Sequence, residues 1–129
     1  MQTDTLNDAL VKIINAEHAG HMTVELTPAS KLLHSVLQIM QHSGYIGTFE
    51  RVDHRRGGSF QVTLRGAINR CGVVKPRHSV QRSEYDKWES RYLPAQDFGL
   101  LILTTNQGVM NHNDAKNARI GGRLLAYVY

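Results

Sequence analysis

The chain has 129 residues and a mass of 14.5 kDa, with 41% apolar and 20% charged residues. That leaves room for one domain or two small lobes and excludes wholesale disorder and collagen-like repeats. No apolar run approaches the roughly 20 residues of a membrane-spanning helix, Asp4, Asp8 and Glu17 interrupt any secretory leader pattern, and a single cysteine, Cys71, cannot make an intrachain disulfide and suits a reducing compartment.

Thr5-Leu6-Asn7-Asp8 has the spacing of a capping box, and Leu6, Leu10, Ile13 and Ile14 behind it predict an amphipathic helix over 5–17, stopped by Gly20. Met22, Val24 and Leu26 alternate with Thr23 and Glu25, the period of a half-buried strand. Thr27-Pro28 reads as a cap followed by a first-turn proline. Leu33, Val36, Leu37 and Met40 then form the apolar stripe of a second helix that stops at Gly44.

Residues 45–53 and 59–65 read as a hairpin turning at Arg55-Arg56-Gly57-Gly58. The stretch 69–77 has turn signals at both ends and reads as the link between two lobes. Ser83-Glu84-Tyr85-Asp86 predicts the capped start of a third helix, with Tyr85, Trp88 and Tyr92 on one face and Pro94 closing it. Leu100–Leu103 predicts a strand covered on both faces, followed by a polar loop from Thr104 to Gly108. Asn111 and Asp114 start a short fourth helix ending at Gly121-Gly122, and 123–129 finishes the chain as an apolar, aromatic strand. The expected class is α+β. Two small α/β lobes are expected: residues 1–68 as helix-strand-helix-hairpin and residues 69–129 as a short antiparallel sheet with helices.

The net charge of +4 is unevenly spread. Arg51 to Arg82 holds eight basic residues against one acid, a net +7, while the other 97 residues are at −3. Ten of the fifteen cations are arginine, the residue suited to bidentate phosphate contacts and base stacking. A basic face meeting a polyanion explains this; so does a solvated arginine-rich loop region.

Catalytic chemistry finds little support. Cys71 and His78, seven apart with no second cysteine, do not have the spacing of a structural zinc site, and no nucleophile elbow, P-loop or dinucleotide fingerprint is present. No catalytic residue, metal or cofactor is expected. The richest candidate is Thr104 to Asn111, where hydroxyls, amides and Gly108 stand between a buried strand and a helix start. Such a loop suits phosphate oxygens and ribose hydroxyls, and an A-form RNA minor groove displays those hydroxyls. An ordinary strand-to-helix turn with Met110 tucked into the core fits the same residues.

Several fragments, in order, resemble one family. They are Leu6-Asn7-Asp8-Ala9-Leu10, Asn15-Ala16-Glu17, Ser30-Lys31, Gly44-Tyr45-Ile46-Gly47 with Phe49-Glu50, and Asn69-Arg70-Cys71-Gly72-Val73 with Pro76-Arg77. Leu93-Pro94, Phe98-Gly99 and, most specific, Leu103 to Met110 follow, with His112, Ala115 and Gly121-Gly122 behind. The chain resembles, from Leu6 to Tyr129, the S-eight family of small-subunit ribosomal proteins, in its archaeal and eukaryotic cytosolic branch. The resemblance implies two α/β lobes, no enzymatic activity, and binding to the central domain of the small-subunit ribosomal RNA during assembly. It also implies neighbouring small-subunit proteins as partners, and neither a membrane nor a small-molecule substrate. The implied location is the cytoplasmic ribosome, with nucleolar assembly in a eukaryote.

By position it implies RNA contacts at Thr5, Asn7, Ser30, Lys31, Thr104, Thr105, Asn106, Gly108 and Met110. The basic residues Arg55, Arg56, Lys75 and Arg77 are added from the charge pattern. Asn106 stands where the family usually has serine, and two usually basic stretches are reduced to His18-Ala19-Gly20-His21 and Lys116-Asn117-Ala118-Arg119. A free RNA-binding regulator of the same fold, recognising a messenger mimic of the ribosomal site, is the alternative. A small hydrolase using Cys71 is a third class that lacks an identifiable activating partner.

Overall fold

The computed structural model describes residues 5–27, 29–53, 58–95 and 98–129, with mixed α and β structure as expected. The chain divides into two compact units, Met1–Cys71 and Gly72–Tyr129. Residues 69–71 stay with the first because His18 Nε2 lies 3.3 Å from the Asn69 carbonyl and the Cys71 thiol faces the Leu10 carbonyl at 3.5 Å.

The first unit contains α1 (Thr5–His18), β1 (Thr23–Leu26), α2 (Lys31–His42), β2 (Ile46–Val52) and β3 (Ser59–Leu64). Its antiparallel sheet has the order β1-β3-β2. The helical stripes bury as their spacing requires: Leu6, Leu10 and Ile13 from α1, and Leu33, Val36, Leu37 and Met40 from α2. α2 is capped by Ser30, whose Oγ accepts the Leu33 N–H at 3.1 Å, and not by the expected Thr27; Pro28 lies outside the described residues. A cap is worth about 1 kcal/mol, whereas each fully buried leucine contributes about 1.5–3 kcal/mol. The apolar stripe therefore decides that the helix exists, and the cap only where it starts.

The second unit begins within β4 (Cys71–Val73), after Cys71, and contains β5 (Ser79–Val80), α3 (Tyr85–Tyr92), β6 (Leu100–Thr105), β7 (Gly108–Asn111), α4 (His112–Ala118) and β8 (Gly122–Val128). The sheet runs β4-β8-β6-β7, with β5 also paired to β8. Leu101, Leu103 and Leu124 meet Tyr85, Trp88, Leu93 and Ala115 on one side of it. Tyr85 donates its hydroxyl to the Ile120 carbonyl at 2.7 Å, and burial pushes its phenol pKa up, keeping that proton in place.

α3 starts at Tyr85 without a side-chain cap bond; Glu84 instead accepts the Gln81 N–H at 2.8 Å. One polar cluster is buried beneath α4. His112 Nδ1 accepts the Leu101 N–H at 3.0 Å, so the ring proton sits on Nε2, 3.4 Å from Glu89 Oε1. The Lys116 ammonium closes on the same carboxylate, so α3, α4 and β6 are joined by one hydrogen bond and a set of contacts to one shared carboxylate.

Candidate nucleic-acid interface

The segment expected as a loop after Leu103 is a hairpin. β6 continues through Thr104 and Thr105, Asn106 and Gln107 form the turn, and β7 begins at Gly108, paired with Thr105. Asn106 and Gln107 keep negative φ, and the positive value falls on Gly108 at +113°, where nothing crowds a Cβ but an L side chain is strained. Thr105 locks the turn. Its Oγ1 donates to the Gly108 carbonyl at 2.8 Å and accepts the Gln107 N–H at 3.1 Å. The exposed tip thus offers the amides of Asn106 and Gln107 on a fixed backbone.

Strand alternation separates residues that the sequence sets side by side. Thr105 and Met110 lie on the side of Leu103, and Met110 packs half-buried against the core cluster. Thr104 and Val109 oppose each other on the other side. The helix start near the tip is also already occupied, because Asn111 caps α4 by accepting the Asp114 N–H at 2.8 Å.

A glycine pair brings the sheet together behind the tip. A Cβ at Gly122 would collide with the Thr104 carbonyl oxygen and stand 3.0 Å from Thr105 Cγ2, and one at Gly121 would collide with the Val80 carbonyl. Helical periodicity assigns these glycines only the end of a helix. Their close approaches are long-range facts that it does not carry.

In the first unit, Thr5 is exposed in the first turn of α1 and Asn7 is half-buried and engaged with a partner. Ser30 uses an acceptor pair in capping α2 but keeps its hydroxyl proton, and exposed Lys31 follows it. No acid stands in that first turn. A lysine there opposes the helix dipole, so helix stability does not explain it.

Lys75 and Arg77 are exposed between β4 and β5. Arg55 and Arg56 lie outside the described residues. Arg51 is paired with Asp53 at 2.8 Å, and Arg65 donates to the Gly44 carbonyl at 3.2 Å, so part of the basic segment is engaged locally.

Cys71 is not a nucleophile. Burial, with the nearby Glu17 charge adding to it, pushes its thiol pKa up to about 12, so it is a neutral thiol at pH 7. Among the described residues no group of three or more histidine, cysteine or acidic side chains could hold a metal ion, and no helix is long and apolar enough to cross a membrane.

Compared with known proteins, residues 4–129 match the family model described as ribosomal protein S8. The chain belongs to the ribosomal protein S8 family. It is therefore a structural protein of the ribosome and not an enzyme. Small ribosomal subunit protein uS8 of Archaeoglobus fulgidus is 52% identical to it over 129 residues, covering all of both chains. The protein of the same name from Thermoplasma volcanium is 51% identical over the same full length. That of Halobacterium salinarum is 51% identical over 126 residues, 98% of this chain and 97% of the other. The S8 resemblance read from the scattered fragments thus extends over nearly the whole chain.

Proposed function

We propose that this S8 protein binds the central domain of the small-subunit ribosomal RNA and, among neighbouring small-subunit proteins, supports its assembly and translation on the cytoplasmic ribosome. The tip of the β6–β7 hairpin carries the reading. Its turn is closed by Thr105 and Gly108 before any partner arrives, so the backbone that carries exposed Asn106 and Gln107 is already set in one turn geometry, which favours a matching RNA shape. Thr104, half-buried beside the tip, meets a ribose or phosphate oxygen, while Met110 supports the strand from the core side.

In the first unit, Thr5, Asn7 and Ser30 supply polar contacts. Lys31 at the start of α2, with no acid in that turn, adds charge against a phosphate. Lys75, Arg77 and the Arg55-Arg56 pair neutralise further phosphates, giving affinity that falls with salt.

The double variant Thr105→Ala, Gly108→Val tests the tip. It removes the lock and places a β-branched residue where φ is +113°. We expect retention of a central-domain RNA fragment on filters to fall by about 10- to 100-fold, with the circular dichroism of the folded chain preserved. Unchanged retention removes the tip from the interface.

A further inference from the structure

The register of the second sheet assembles a row that the sequence scatters. Ser79 on β5 opposes Arg123 on β8, Arg123 opposes Thr104 on β6, and Thr104 opposes Val109 on β7. Directly opposed residues of antiparallel strands send their side chains to the same face, so the four form one line across four strands. The line lies on the face away from Leu103 and Leu124, which turn into the core cluster. Ser79 and Arg123 are exposed, and Thr104 and Val109 are half-buried.

The alignment depends on Gly121 and Gly122, since a Cβ at either would push β8 away from β5 or β6. Arg51 is held by Asp53 and Lys116 by Glu89. Arg123 differs from these two, though not from exposed cations such as Arg77 and Arg82, in being outside any ion pair among the described residues. It sits one strand spacing, about 4.8 Å, from Thr104. A planar guanidinium with five donors is suited to two oxygens of one phosphate.

We propose that Arg123 is a phosphate contact of the ribosomal RNA, set by the sheet register to grip the backbone beside the sugar that Thr104 meets, with the Ser79 hydroxyl extending the same line. This rests on the RNA-binding reading above. Thr104 and Arg123 then act on adjacent parts of one nucleotide strand: the hydroxyl reads a sugar edge and the guanidinium supplies charge.

The test uses the full chain and a central-domain RNA fragment, with filter retention measured across a salt series. Arg123→Ala is expected to lower affinity by about tenfold at moderate salt and to reduce the slope of log affinity against log salt by roughly 0.7–0.9, the loss of one phosphate contact. Arg123→Lys restores the slope but not all of the affinity, because a point charge replaces a fork. Ser79→Asp weakens binding, whereas Ser83→Asp, which adds the same charge at an exposed position outside the row, has a much smaller effect.

If the wild-type chain fails to retain the RNA, both this proposal and the reading beneath it fall. If the wild type binds and Arg123→Ala keeps its affinity and salt slope, this proposal alone is overturned. Equal effects of Ser79→Asp and Ser83→Asp overturn it too, and they do so without relying on a folded Arg123→Ala protein.

Discussion

The start of α2 and the tip of the β6–β7 hairpin face solvent with opposite physics. At α2, Lys31 is exposed in a first turn that contains no acid, and its charge works against the helix dipole. At the tip, residues 104–108 carry no charge, and the hydroxyl of Thr105 is already bonded to the chain on both sides. A long, solvated ammonium tolerates many positions of a phosphate, whereas a locked turn tolerates one shape. The two regions therefore contribute differently to the proposed binding. α2 supplies affinity that salt can screen, and the hairpin supplies register that salt leaves largely intact.

The largest effect expected from breaking this division comes from Gly122→Ala. The added methyl has no room beside the Thr104 carbonyl and the Thr105 methyl, so we expect a loss of about 1–3 kcal/mol in denaturant unfolding. RNA retention should fall at every salt concentration, because the tip itself moves. A variant that melts and binds like the wild type would show that the tip does not depend on the glycine pair.

Lys31→Ala is expected to do less and in the opposite sense for stability. Removing a cation from the helix start should raise stability by about 0.5 kcal/mol while weakening RNA retention severalfold at low salt and hardly at all at high salt. Weakening that persists at high salt would mean that Lys31 reads shape, and the distinction between the two regions would dissolve.

Cys71→Ala should have the smallest effect on binding, since the thiol is buried and neutral. Its signature lies in the pH dependence of stability. The folded thiol is pushed up to about 12 from its ordinary value of 9.0, so between about pH 9 and 12 the unfolded chain holds fewer protons than the folded one. Stability then falls as pH rises, by at most about 1.4 kcal/mol per pH unit. The variant should lose this component while Tyr45 and Tyr85, whose pKa values burial also raises, still titrate in both proteins. Identical alkaline unfolding profiles would contradict a protonated, buried thiol.

Much of the fold is legible in the sequence because it is written in short periods. The stripes Leu6-Leu10-Ile13 and Leu33-Val36-Leu37-Met40 mark α1 and α2, and the unbroken Leu100–Leu103 marks the covered part of β6. β7 escapes such reading for a definite reason. It spans four residues, its turn is Asn-Gln and not the Asn-Gly pair that signals a hairpin, and the positive φ is displaced onto Gly108. Taking Thr104 and Thr105 as loop residues also hides that they face opposite ways. The start of α2 is ambiguous because Thr27 and Ser30 are both competent caps; the bond to the Leu33 N–H chooses the second.

The candidate site is legible by resemblance at Thr104 to Met110, but Arg123 is not. It lies nineteen positions beyond Thr104, and only strand pairing, which no local pattern encodes, makes them neighbours.

The internal bonds of Thr105 have a kinetic corollary. A turn that is closed in the free protein has little conformational freedom left to lose at docking. In the proposed complex the nucleic acid must do most of the adapting, and the hairpin acts as a mould around which a junction settles. Loosening the turn should then shorten the lifetime of the bound particle more than it slows first encounter, since steering comes from cations located elsewhere on the chain.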